Sequence, residues 1–171
     1  MAGTGMTNDS ARAMWMAFML EVAAPGHRLL RVPPAPGVWA FGNSPEMADE
    51  LVELVLSGRK RATAGSLDCL LYDGDPMPQP GEHSVILDGS GSARCIIRTT
   101  EVSVAALNEV SARFAAREGE GDGSLAYWLE GHRRFFAQEH AERELPFHDA
   151  IPVILESFTV VWPREICDTP A

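Results

Sequence analysis

A pair of apolar runs separated by a Gly-rich turn constrains this chain most. Ser84–Leu87 and Ala93–Val102 are strand-like, and the five residues between them, Asp88-Gly89-Ser90-Gly91-Ser92, are turn formers. Val85, Ile86, Leu87, Cys95, Ile96 and Ile97 supply the apolar side chains of a core. A hairpin this apolar is not stable alone, so other strands or helices must cover it. Two further segments qualify as strands: Thr63–Leu71 and Pro152–Trp162, the latter closed by Pro163. Val38-Trp39-Ala40-Phe41 is a short strand or an anchoring apolar patch.

Helices punctuate these strands. Ser44-Pro45-Glu46 is a start signal: serine caps, proline fits the first turn, and glutamate favours the positive end. Apolar residues then recur at helical spacing to Ser57-Gly58, where glycine permits the C-terminal turn. Asn108 or Ser111 can open a short helix containing Phe114 and ending near Arg117. Ser124 caps another, with Leu125, Trp128, Leu129, His132, Phe135 and Phe136 on overlapping faces. Ser10 can cap an N-terminal helix to about Ala23, whose apolar face of Met14, Trp15, Phe18, Met19 and Val22 suits core packing better than a partner surface. Residues 1–8 read as a frayed terminus, and the proline-rich piece His27–Gly37 as an extended connector. The expected fold class is α+β, with strands joined mostly by hairpin-like loops. A small β-barrel with flanking helices and an extra N-terminal helix fits better than a doubly wound sheet.

A chain of 171 residues fits one domain, and 46% hydrophobic residues exclude disorder. The net charge of −10 argues against tight, sequence-independent binding to long duplexes, while leaving room for a local basic pocket. Cys69, Cys95 and Cys167 match neither a disulfide framework nor zinc-ligand spacing, so a cytoplasmic, reducing setting is expected. The histidines form no i, i+4 pair, so no dedicated metal site is expected. No apolar run is long enough to span a bilayer, which leaves no membrane partner.

Lys60 is the only lysine; the remaining members of the 14 Lys and Arg are arginines. It stands between Arg59 and Arg61, three residues before Thr63. Its pKa would fall if it were buried or crowded by those guanidiniums, making it a base. The plainer reading is a solvated residue beside the carbonyls of a helix end, and on residue identity alone that reading is stronger. A second segment, Glu118-Gly119-Glu120-Gly121-Asp122, sets acids between glycines that would let backbone approach a ligand closely. Taken singly, Glu120 and Asp122 read as acids of a surface loop. Tyr127 and Trp128 follow, either stacking on a base or packing in the core. His132, one turn on, reads as a hydrogen-bonded structural histidine more readily than as a base.

The sequence resembles the ASCH domains, whose fold is a PUA-like β-barrel. The resemblance rests on the helix from Ser44, the Gly58-x-Lys60-x-x-Thr63 signature and the paired central strands. It also rests on Phe114-Ala115-Ala116-Arg117-Glu118-Gly119, on Leu125-Ala126-Tyr127-Trp128 with His132 and Phe135-Phe136, and on the last strand. It covers roughly Trp39 to Pro163, is most similar to the longer ASCH subgroup, and leaves the N-terminal helix outside. The domain division it implies is an N-terminal extension, 1–37, and an ASCH domain, 38–171.

The resemblance implies a cleft for a nucleoside, a nucleotide or short single-stranded RNA. One ASCH subgroup hydrolyses the amide of acetylated cytidine with a lysine, a threonine and a glutamate, which fall on Lys60, Thr63 and Glu118. Another member of the longer type is similar to a metal-stimulated ribonuclease, so the cofactor expectation extends to stimulation by a divalent metal. The expected substrate-binding residues are Arg59, Arg61, Ser66, Asp122, Tyr127, Trp128 and His132. Two departures separate this chain from the amidohydrolase subgroup: the Gly-x-Gly-Asp extension after Glu118, and the bulky Arg61 in place of a small residue. In the implied chemistry Lys60 takes the Thr63 proton and Glu118 orients the ammonium or protonates the leaving amine. A glutamate close to Lys60 opposes that role by raising its pKa, and would make it an electrostatic anchor instead. The rival reading is a non-catalytic binding module using the same cleft.

Overall fold

The structure, a computed structural model, describes residues 7–23 and 33–168. Among these residues, five α-helices and five strands run in the order α1 Asp9–Val22, β1 Gly37–Ala40, α2 Pro45–Leu56, β2 Ala62–Ser66, α3 Leu67–Asp73, β3 His83–Leu87, β4 Ala93–Ala106, α4 Ala112–Glu118, α5 Leu125–Glu142 and β5 Pro152–Trp162. The strands form one mixed sheet in the order β1-β3-β4-β5-β2. β1 runs parallel to β3, whereas β3–β4 and β2–β5 are antiparallel. The fold is α+β, as expected.

Most start signals act as predicted. Ser44, Ser111 and Ser124 each accept a backbone N–H at the head of α2, α4 and α5. Two expectations need correcting. The helix α1 is capped by Asn8, whose side chain accepts from Ala11, not by Ser10. Thr63–Leu71 is not one strand: β2 ends at Ser66, whose hydroxyl accepts from Cys69 N and starts α3. A serine at a strand end can satisfy orphan donors of a new helix, and here that local bond outweighs the strand-like composition of Cys69-Leu70-Leu71. Of the proline-rich connector, residues 27–32 lie outside the described residues.

The chain divides into two compact units. The first comprises residues 1–58, 81–98 and 159–171. Its core centres on Ala11, Phe18, Val85 and Ile96, with Met14, Trp15, Met19 and Val22 packed alongside. The apolar face of α1 is therefore core. The rings of Trp15 and Phe18 also pack against His83, at centroid distances of 5.7 and 5.6 Å. The second unit comprises residues 59–80 and 99–158 and holds every predicted site residue. Its core contains Leu107, Val110, Ala115, Trp128, Phe136, Ile151 and Val153.

Candidate functional site: a buried amine between two carboxylates

Lys60 is not a solvated turn residue. It retains 1% of its exposure, and its Nζ donates to Glu118 Oε2 at 2.6 Å and to Glu120 Oε1 at 2.7 Å. The backbone delivers these groups from far apart in sequence. Arg61 N donates to Arg117 O at 2.9 Å, pinning the entry to β2 against the end of α4. Gly119 then ends α4 at φ +68°, so close to the chain that a Cβ there would lie 2.3 Å from Arg59 O. Only glycine meets both demands. Gly121 at φ +54° continues the turn, and the Arg59 guanidinium donates to the carbonyls of Gly119 and Gly121 at 3.2 Å each. The loop thus curls over the amine and returns Glu120 to it.

Glu118 is as buried as Lys60 and has a further donor in Trp128 Nε1 at 3.0 Å. His132 stacks on Trp128 with centroids 3.8 Å apart, and its Nδ1 is 3.0 Å from Trp128 O. A carbonyl only accepts, so Nδ1 carries a proton, and in the neutral ring Nε2 is a lone pair. That nitrogen lies 3.6 Å from Glu118 Oε1.

Desolvation pushes the Lys60 pKa down. The charges of Glu118 and Glu120 and their hydrogen bonds push it up, and the net result is raised. Burial likewise opposes the charge of Glu120, yet the Lys60 ammonium holds its pKa below the usual glutamate value. One ammonium faces two carboxyl groups. The amine is in its charged form, and the crowding by Arg59 and Arg61 that would make it a free base does not prevail.

Lys60, Glu118, Trp128 and His132 are brought together; Ser66 and Asp122 are not at this centre. Ser66 Oγ is 2.7 Å from His140 Nε2 and starts α3. Asp122 is exposed and accepts from Ser124 N, shaping the turn into α5. Trp128 is 2% exposed, within the core, and so offers no face to a base. Tyr127 does: it is 50% exposed, with its ring against Gly121. Arg61 is half-buried, its guanidinium donating to Lys60 O. Thr63 is half-buried in β2, opposite Glu156 of β5, and no bond joins it to the charged trio among the described residues. By strand alternation its side chain leaves on the face opposite to Ala64, which packs against the core holding Trp128.

Sequence reasoning missed Glu120, read as a surface acid. The signal was available: acids two residues apart, separated by a glycine that can reverse the chain. It also missed that donor atoms of Glu118, Glu120 and His132 lie within 4.8 Å of one another, a set able to hold a metal ion. No spacing rule finds a set assembled from a helix end, a loop and the second turn of another helix.

An α+β fold with this buried centre defines a class, and sequence comparison defines the family. The chain matches the ASCH domain family over residues 37–162, and it belongs to that family. It is similar to the crystal structure of an ASCH domain from Lactobacillus crispatus JV V101, with 32% identity and a TM-score of 0.85, covering 95% of this chain and 100% of that one. It is also similar to the crystal structure of a protein from Enterococcus faecalis V583, with 38% identity and a TM-score of 0.78, covering 89% and 88%. Both alignments extend beyond the portion that sequence inspection assigned. A comparison with curated proteins found no match. Among the described residues no helix is long and apolar enough to cross a membrane.

Proposed function

We propose that this chain binds a nucleoside or a short single-stranded RNA and hydrolyses an acyl amide on the base of a modified nucleoside. One observation carries the reading: a charged amine buried with one carboxylate and closed over by a second, partly exposed one. Buried ion pairs are weak stabilisers, because desolvation offsets much of their attraction. Folding therefore does not account for this one, whereas a reaction that develops negative charge does. ASCH membership and the position of Lys60 on the Gly58-x-Lys60-x-x-Thr63 signature support the same assignment.

In this mechanism Lys60 is the electrostatic anchor and not the base. Water attacks the acyl carbon and gives a proton to Glu120, the partly exposed carboxylate. The Lys60 ammonium stabilises the oxyanion of the tetrahedral intermediate. The C–N bond then breaks, the carboxyl group returns its proton to the leaving amine, and the acyl group departs as the acid. Thr63 stands on the other face of β2 and does not enter this step. The test is a panel of N-acylated nucleosides and labelled single-stranded RNA incubated with purified protein, with and without divalent metal. Release of the deacylated nucleoside, lost in Glu120→Gln and in Lys60→Met, supports the reading. Activity that survives both substitutions overturns it.

A second reading has its own support. Half-exposed Tyr127 lies beside the Arg59-braced loop, an arrangement suited to stacking a base near a cation. A protein that binds RNA yet converts nothing in the panel would be such a module.

A further inference from the structure

In the first unit, the side chains of His83 and Arg98 have neither a hydrogen-bond nor an ion-pair partner among the described residues. His83 opens β3, is 9% exposed, and has the rings of Trp15 and Phe18 packed against it. Its Nδ1 is buried, and Thr159 Oγ1 is the other buried side-chain atom without a partner among the described residues. Such atoms are rare in folded proteins, and each calls for an explanation. These two lie on one face of the sheet: His83 is two residues from Val85 and Thr159 two residues from Val161, and both valines belong to the core under α1. Arg98 faces the same way, as the direct partner of His83 across the β3–β4 ladder. It is exposed, and no carboxylate pairs with it among the described residues, although the chain carries 24 Asp and Glu. Its charge nonetheless reaches the imidazole: burial first, and Arg98 second, lower the His83 pKa to about 4.

We propose that Arg98 and His83 form a binding site for one oxyanion group, a carboxylate or a phosphate carried by a small ligand. Donor chemistry decides the class of ligand. The guanidinium presents a planar fork of N–H groups that matches the edge of a carboxylate or phosphate. The imidazole adds a further donor. A proton on Nδ1 alone would bury an N–H with no acceptor, so the neutral ring carries its proton on Nε2, and an imidazolium carries one there as well. In both forms Nε2, the nitrogen that is not buried, can donate to an anion beside Arg98. A cationic ligand would be repelled by the guanidinium. The rings of Trp15 and Phe18 lower the local polarity, which strengthens a charge-assisted hydrogen bond made next to them. The charge of −10 on the whole chain favours a small anion over a long polyanion. The site shares no residue with the Lys60 centre and stands independently of the hydrolytic reading.

The experiment is ¹⁵N NMR of the histidine rings of the full chain at neutral pH, with sodium acetate or sodium phosphate replacing sodium chloride at constant ionic strength. The expected result is a saturable shift of the His83 ring nitrogens while those of exposed His148 stay in place. Acetate and phosphate form the two arms, and the tighter of the two identifies the group as carboxylate or phosphate. Affinity should fall at least tenfold in Arg98→Gln, a substitution at an exposed position that leaves the core intact. A pH titration at saturating anion should give His83 a higher pKa than the same titration in chloride, because the anion stabilises the imidazolium. Absence of a saturable His83 shift with both anions overturns the site. So does a parallel shift of His148, which would mean a general salt effect only, or undiminished affinity in Arg98→Gln.

Discussion

At the scale of single residues, the Lys60 amine has the most consequence, because each of its carboxylate partners is held to it inside the protein. Removing one partner of a buried pair leaves an uncompensated charge. Glu118→Leu should therefore destabilise the chain by about 3–5 kcal/mol in urea denaturation. Glu120→Gln, whose partner keeps Glu118, should cost no more than about 1–2 kcal/mol. Equal losses for the two would refute the assignment of Glu118 as the deeper partner. Gly119 is a second sensitive position. A Cβ at φ +68° and 2.3 Å from Arg59 O forces the backbone to move. Gly119→Ala should lower stability by roughly 2 kcal/mol or more, and should loosen Glu120 from Lys60, which an NMR titration of the carboxylate would register.

At the scale of elements, the caps and their neighbours were readable in advance, but what an element does next often was not. Ser44, Ser111 and Ser124 announce their helices because a hydroxyl before a helical pattern has one dominant use. Ser66 was read as a ligand residue, yet its hydroxyl serves Cys69 N and His140 Nε2 at once. His140 is 74 residues away, and no local pattern encodes that bond. Ser66→Ala should cost about 1 kcal/mol for the lost cap and a further 1–3 kcal/mol for leaving buried His140 Nε2 unsatisfied. A thermal melt that changes by the cap alone would show that water replaces the hydroxyl. The contact of Lys60 with Glu118 was foreshadowed only through a family resemblance. Their separation of more than fifty residues is bridged by the Arg61–Arg117 backbone bond, which composition does not reveal. Trp128 was misjudged for the opposite reason: a helical aromatic is core by default, and this one is.

At the scale of the molecule, two properties can be measured without a substrate. Burial, then the Arg98 charge, lower the His83 pKa from 6.5 to about 4. The unfolded chain thus binds a proton at His83 where the folded chain does not, and stability should be complete above about pH 6.5 and decline as the pH falls to about 4. The decline is on the order of 2–3 kcal/mol, and His83→Gln should flatten that part of the stability–pH curve. The second property is the charge of −10. It makes a nucleoside-sized ligand a better match than a long polyanion, so affinity for a short RNA should change little between low and moderate salt. A steep loss would instead mean that several phosphates are gripped.

The isolation of Lys60 among side-chain amines gives the molecule a built-in reporter. Acylating reagents that modify lysine have a single side chain to find, and in the closed loop they cannot reach it. The rate at which that position becomes labelled therefore reports whatever motion exposes it. Any compound that changes that exposure will announce itself by mass spectrometry, before its chemistry is known.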